Sequence, residues 1–274
     1  MGLQTKLKGE PPLFGGEQKM NAFIAIILGL VQGLCEFLPI SSSGHLLLLQ
    51  KIFGISDGGL FFTVMLHLGT LAAVLVVYRK RIIEMLLHPV KQAKYWIWMI
   101  VATLVTAVMA LVFKDVIDAA NEGSLLVLCD FIRQKVECKL TVPSMKWYHA
   151  VFIGFVQGVA ILPGISRSGS TITGATLCSM KKEDAAEFSF LLSIPAILGG
   201  AVLEIPGAVS AGAANINWLS VVLGVAAAAV SGYFAVRFMI KLITKHSLWG
   251  FAIYTAILGA FIVLDQNILH LIAW

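Results

Sequence analysis

The sequence predicts an all-α integral membrane protein of inverted-topology repeats, with two re-entrant broken-helix pairs meeting near the bilayer midplane. Three observations carry this. Of 274 residues, 58% are hydrophobic and only 13% charged, against about 25% charged in an ordinary soluble domain. The few charges are clumped: residues 20–50 hold one (Glu36), 95–113 none, 147–180 one (Arg167) and 188–236 one (Glu204). The uncharged runs approach the ~20 residues that cross a bilayer. Finally, a segment recurs 125 positions downstream: Gly29-Leu30-Val31-Gln32-Gly33 matches Gly154-Phe155-Val156-Gln157-Gly158, and Ile40, Ser41, Ser43 and Gly44 match Ile165, Ser166, Ser168 and Gly169. Together these exclude a nucleic-acid binder, a secreted disulfide scaffold and a soluble two-domain enzyme, and the net charge of +5 reads as loop charge.

Along the chain, residues 1–19 read as a flexible tail or an extension ahead of Met20, and 20–274 as one membrane domain. Repeat 1 spans about 21–113, an irregular connector 114–146, and repeat 2 about 147–274. Apolar stretches fall at about 22–40, 45–55, 59–78, 95–113, 148–165, 168–180, 188–205, 218–243 and 249–264. The pieces at 45–55 and 168–180 are too short to cross alone. Each follows a break, Pro39-Ile40-Ser41-Ser42-Ser43-Gly44-His45 in one case and Pro163-Gly164-Ile165-Ser166-Arg167-Ser168-Gly169 in the other. Irregular backbone at membrane depth is tolerated only where protein or a wet cavity satisfies it, hence the re-entrant reading.

Basic loops set the orientation. Arg79, Lys80, Arg81, Lys91 and Lys94 against Glu84 place loop 79–94 in the cytoplasm, and Arg237, Lys241 and Lys245 do the same for 237–247. The uncharged 206–217 stretch reads as external. The first broken pair then enters from outside and the second from inside, which demands a crossing within 114–146. That segment offers only about ten apolar residues, Gly123 to Ile132, between Glu122 and Arg133, so the expectation is a distorted partial span or a surface segment. Cys35, Cys129, Cys138 and Cys178 lack metal-ligand spacing and read as small hydrophobes or unremarkable thiols.

Gln32 and Glu36 lie four apart, on one helical face, and aim a carboxamide and a carboxylate toward the first break. An ionisable group inside an apolar run marks a functional site by default, although a carboxylate at a helix end can also snorkel to the interface. The pair suits a hard divalent cation, Mg²⁺ or Ca²⁺, with phosphate oxygens and water completing the shell. Ser41, Ser42, Ser43 and His45 cluster at a helix start, which either welcomes an anion or is simply N-capped. In the second break Arg167 is the one formal charge between Lys146 and Lys181, and a guanidinium grips an oxyanion bidentately; the structural alternative is an ion pair with Glu36. His67 is expected to be a hydrogen-bonded packing residue, and Glu187 and Glu204 to be interfacial. No Walker loop, HExxH or GxSxG occurs, so nucleotide-driven transport, zinc proteolysis and a nucleophile-elbow hydrolase have no support. Inverted repeats with broken helices are also transporter hardware, and a secondary transporter or lipid-carrier flippase is the rival reading.

Gln32-x-x-x-Glu36 followed by Phe37-Leu38-Pro39-Ile40-Ser41-Ser42-Ser43-Gly44-His45, together with Pro163-Gly164-Ile165-Ser166-Arg167-Ser168-x-x-Thr171, resembles the bacterial undecaprenyl-diphosphate phosphatases of the bacitracin-resistance type, from about Asn21 to the C-terminus. The resemblance implies hydrolysis of undecaprenyl diphosphate to the monophosphate and inorganic phosphate, recycling the lipid carrier of peptidoglycan synthesis. It implies metal contacts at Gln32 and Glu36, catalytic roles for Glu36, Ser42, His45 and Arg167, and substrate contacts at Ser41, Ser43, Gly164, Ser166, Ser168 and Thr171. The nucleophile stays open among Ser42, His45 and water. The implied setting is the bacterial plasma membrane with the site opening outward. The partners are a polyprenyl diphosphate and the bilayer, with no nucleic acid; bacitracin acts through the substrate, and a homodimer is an allowed assembly. One departure is that the family has a full helix where this chain has 123–140.

Overall fold

The computed structural model describes residues 20–55, 59–113, 138–210, 217–245, 247–269 and 271–272. The described residues are helical almost throughout: α1 Ala22–Phe37, α2 Ser42–Ile52, α3 Gly59–Val77, α4 Arg79–Leu87, α5 Ala93–Val112, α6 Trp147–Val159, α7 Arg167–Leu177, α8 Lys182–Ser210, α9 Trp218–Lys245 and α10 Trp249–Leu264. Among the described residues, five helical segments are long and apolar enough to cross a bilayer: Leu60–Val77, Ala93–Val112, Lys182–Glu204, Trp218–Lys245 and Trp249–Leu269. Their outward faces carry Ile97, Ile100, Leu104, Val108 and Leu111 on α5 and Val222, Val230, Phe234 and Phe238 on α9, all exposed. Such a surface is tolerable in lipid and not in water. The chain is a multi-pass membrane protein.

Both expected breaks are present. Helix α1 ends at Phe37 and α2 begins at Ser42; α6 ends at Val159 and α7 begins at Arg167. Two basic stretches depart from expectation. Residues 79–94 contain a helix, α4, because Ile82, Met85 and Leu86 recur at helical spacing among the charges; Met85 is buried. Likewise Arg237, Lys241 and Lys245 continue α9 for two further turns instead of forming a loop. The tail 1–19, the 114–137 portion of the connector with its expected crossing and Cys129, and residues 211–216 lie outside the described residues.

Small residues let α1 and α6 each approach a long neighbour closely. A Cβ on Gly29 would stand 2.2 Å from the Gly224 carbonyl oxygen of α9, and one on Gly33 would stand 2.0 Å from Ser231 Oγ. On α6, a Cβ at Gly154 would meet the Ala102 carbonyl oxygen of α5 at 2.5 Å. Close backbone approach is the main route to packing energy between helices that share an apolar solvent. Helix α9 also runs along α3, and α8 packs on both α3 and α7. The larger core gathers Phe37, Tyr78, Tyr95, Phe188, Phe190, Met180 and Met239. Phe37 meets Phe190 edge-on at 5.6 Å between ring centroids. That contact matters for function, because it pins the end of α1, and with it Glu36, against α8.

Candidate active site

The first break is shaped by Ser41, whose φ of 62° and ψ of 99° lie where side chains other than glycine are rarely found, a strain of about 1–3 kcal/mol that packing must hold. From this position the Ser41 hydroxyl accepts from Gly44 N–H at 3.3 Å and caps α2. The second break uses the same device 125 positions on: Ser166 Oγ accepts from Gly169 N–H at 3.2 Å and caps α7. Gly164, at φ 86°, takes a backbone turn that a side chain would resist. Two helix starts are thereby aimed from their breaks, and helix starts favour anions.

The two breaks are stitched together. Ser166 and Ser168 hydroxyls both donate to the Leu38 carbonyl, at 3.4 and 3.3 Å. Gly164 N–H donates to Ser43 Oγ at 3.4 Å, and Ser43 in turn shares a 3.3 Å hydrogen bond with Ser41. At the centre, Arg167 Nη2 donates to Glu36 Oε1 across 131 positions of sequence. Oε2 of Glu36 accepts from Gln32 Nε2 at 3.0 Å and from Ser42 Oγ at 2.6 Å. Thr171, fully buried, binds the Arg167 and Ser168 carbonyls at 2.9 and 3.2 Å and shares a hydrogen bond with Ser189 of α8. Thr171 thus fixes the start of α7 from behind.

The structural alternative considered for Arg167, an ion pair with Glu36, is therefore present. It does not use up the guanidinium, because Nη1 is buried without a hydrogen-bond partner among the described residues. Gln32 Oε1 is likewise buried and unpartnered. Unsatisfied buried donors and acceptors are costly, and beside a cluster of charged groups they are atoms that a ligand, an ion or a water can satisfy. Here one unpaired donor and one unpaired oxygen flank a single carboxylate, an arrangement suited to a phosphate and its counter-cation.

His45 is held differently from the serines. Its Nδ1 lies 2.8 Å from the Ser41 carbonyl oxygen and its Nε2 2.7 Å from the hydroxyl of Tyr254 on α10. Neither nitrogen is bonded to Ser42 or Glu36. His67 makes the hydrogen bond that the sequence led us to expect, and has a second neighbour besides. Its Nδ1 does donate to the Thr63 carbonyl at 2.8 Å, as a packing histidine would. Yet Nε2 stands 3.6 Å from Glu36 Oε2, within ion-pair range when the ring is protonated. Only the side-chain spacing across α1 and α3 reveals this, and a lone histidine in an apolar span gives no such signal. Tyr254 was not singled out from sequence at all. Glu187 sits in a cluster apart from the site, accepting from Arg81 Nε at 3.1 Å and Tyr95 Oη at 3.4 Å, and Glu204 is exposed.

Comparison with known proteins gives a consistent result. Residues 25–261 match the family described as bacitracin resistance protein BacA. The chain is 44% identical over 259 residues to an undecaprenyl-diphosphatase of Carboxydothermus hydrogenoformans, covering 90% of this chain and 98% of that protein. It is 39% identical over 271 residues to one from Alkaliphilus metalliredigens, covering 89% and 98%. With undecaprenyl-diphosphatase 3 of Bacillus cereus the identity is 39% over 257 residues, covering 90% and 98%.

Proposed function

Since the chain belongs to the bacitracin resistance protein BacA family and is an undecaprenyl-diphosphatase, we propose that the cluster of Glu36, Ser42 and Arg167 cleaves the phosphoanhydride of undecaprenyl diphosphate. The products are undecaprenyl phosphate and inorganic phosphate. The observation that carries this is the meeting of Arg167 from one break with Glu36 and Ser42 of the other on a single carboxylate.

In the proposed mechanism Ser42 Oγ attacks the terminal phosphorus. Its proton is already directed at Glu36 Oε2 over 2.6 Å, so Glu36 accepts it as the new P–O bond forms. The bond from phosphorus to the bridging oxygen breaks and undecaprenyl phosphate leaves. Glu36 gives the proton up to the departing undecaprenyl phosphate and, as a carboxylate again, takes one from the water that attacks the phosphoserine. The P–O bond to Ser42 breaks, the Ser42 oxygen recovers that proton, and inorganic phosphate is released. Arg167 presents its unpaired Nη1 to the non-bridging oxygens, where charge is greatest in a phosphoryl-transfer transition state. The second helix start, capped by Ser166, adds its dipole. Ser42 is favoured over His45 as attacking group because both ring nitrogens of His45 are engaged elsewhere. A divalent cation fits as well: the donor set is all oxygen, and Gln32 Oε1 beside the Glu36 carboxylate is an acceptor in want of a partner. Those two residues would hold it, and when bound it supplies charge neutralisation to the diphosphate.

The inverted-repeat, re-entrant reading is supported by the matched capping serines and by the packing partners. The first helix of one half lies against α9, and that of the other against α5. With the basic segments 79–94 and 237–247 cytoplasmic, the site opens to the outside of a bacterial plasma membrane.

The test is release of phosphate from polyprenyl diphosphate by the purified protein in detergent. Release is expected, to be abolished by a chelator and restored by added Mg²⁺ or Ca²⁺. Release that ignores the chelator overturns the cation. Movement of labelled carrier across vesicles with no phosphate released overturns the hydrolytic reading in favour of a flippase.

A further inference from the structure

A cavity of about 330 Å³ lies between α3, α4, α5 and α8, and no residue of the two breaks lines it. It opens on the outer face of the bundle, where the lining residues Leu75, Ile100, Leu104 and Leu198 are themselves exposed. Pro195 lines it too; with no N–H to give the Leu191 carbonyl, it interrupts the hydrogen bonding of α8 at this level. Among the described residues of the wall, the polar side-chain groups are those of Trp96 and Thr103. Trp96 Nε1 donates to the Met85 carbonyl at 3.2 Å, which leaves the unpartnered Thr103 hydroxyl alone. A buried water needs two to four polar partners, so one hydroxyl does not hold water here. An apolar hollow that faces the bilayer is filled by a hydrocarbon chain.

Charge at the rim selects the lipid. Ile82 of α4 lines the cavity, and Arg79 precedes it by three residues on the same helical face. Arg79 Nη1 donates to the Val76 carbonyl at 2.9 Å, which folds the guanidinium back to the end of α3, one residue from Leu75. Lys80 follows in the chain; both bases are exposed and neither has an acidic partner among the described residues. The one acid of α4, Glu84, is engaged, accepting from Arg81 at 3.2 Å and from Gln92 at 2.9 Å. We propose that the cavity seats an acyl chain of an anionic phospholipid whose phosphate lies on Arg79 and Lys80. A guanidinium grips phosphate through two parallel hydrogen bonds. A zwitterionic lipid brings a cation of its own to the same rim, so the lipid with net negative charge is preferred. In the proposed orientation α4 is cytoplasmic and the catalytic site opens on the other side, which separates this occupant from the polyprenyl chain of the substrate.

The probe is phosphatidylglycerol against phosphatidylcholine of the same chains, added in equal amounts to the purified protein in detergent, with bound lipid counted by native mass spectrometry. Preferential retention of one phosphatidylglycerol is expected. Each base near an anionic group favours the charged lipid about fivefold, so Arg79→Gln with Lys80→Gln should cut the preference ~10-fold or more. Leu104→Trp with Leu198→Trp crowds the mouth from both walls and should lose the bound lipid altogether; melting curves check that both double variants fold. A second measurement needs no change at the mouth. Phosphatidylglycerol brominated on its acyl chains, added at one per protein, should quench the tryptophan fluorescence of the unaltered protein more than that of Trp96→Phe. Equal retention of the two lipids, a preference that survives loss of both bases, lipid still held by the crowded variant, or quenching that Trp96→Phe leaves unchanged would each overturn the proposal. With polyprenyl phosphate also present, the protein should carry one of each lipid. Mutually exclusive binding would assign the cavity to the polyprenyl chain and overturn the phospholipid as occupant, while leaving the reaction at the breaks untouched.

Discussion

Replacing Glu36 with alanine should abolish turnover, lowering kcat by ~10³ or more, because one carboxylate serves several parts of the site. It receives the Ser42 proton, balances Arg167 and stands beside the unpaired oxygen of Gln32. The substitution should also register in a stability measurement. The Glu36 side chain is 5% exposed and that of Arg167 15%, so removing the carboxylate strands a nearly buried guanidinium, a loss on the scale of about 3 kcal/mol. Glu36→Ala should therefore melt early as well as fail to turn over. The double variant Glu36→Ala with Arg167→Ala separates the two effects, since it removes both charges. It should melt above Glu36→Ala and remain inactive. A double variant that regains turnover along with its melting temperature would show that the pair is structural.

Arg167→Ala is expected to reduce kcat by ~10²–10³, the range seen when one oriented donor is taken from a developing oxyanion. Arg167→Lys is the sharper variant. A lysine ammonium restores the charge opposite Glu36 and with it much of the stability, but it is a point charge and cannot bond Glu36 and a phosphate in fixed, separate directions. Normal melting with kcat still depressed at least tenfold is the expected result of steady-state assays run beside melting curves. Full recovery of kcat by lysine would mean that charge alone, and not the unpaired Nη1, is what the reaction uses.

Much of this was legible in the sequence because the signals are local. Lone charges in apolar runs single out Glu36 and Arg167, and Pro, Ser and Gly mark both breaks. The offset of 125 positions anticipates that Ser41 and Ser166 will perform the same capping. What the sequence could not choose was the partner of each group. The Glu36–Arg167 contact spans 131 positions, and periodicity within either helix is the same with or without it. His67 shows the same limit: its bond to Thr63, four residues back, is ordinary helix chemistry, while its approach to Glu36 depends on how α3 packs beside α1. Tyr254 carries no sequence signal, tyrosine being common in membrane helices. The 79–94 stretch misled for a different reason. Five basic residues dominate its composition, and they mask the apolar spacing that seats α4 through Met85.

The claim that the two breaks form a single phosphoryl-transfer centre with Ser42 as its attacking group is tested most directly by rapid quenching of the enzyme on polyprenyl diphosphate labelled in the terminal phosphate. A covalent phosphoenzyme that survives acid and is lost in base, mapped to Ser42 and absent from Ser42→Ala, is the predicted result. An acid-labile phosphoenzyme on His45, or unimpaired hydrolysis by Ser42→Ala, would contradict it.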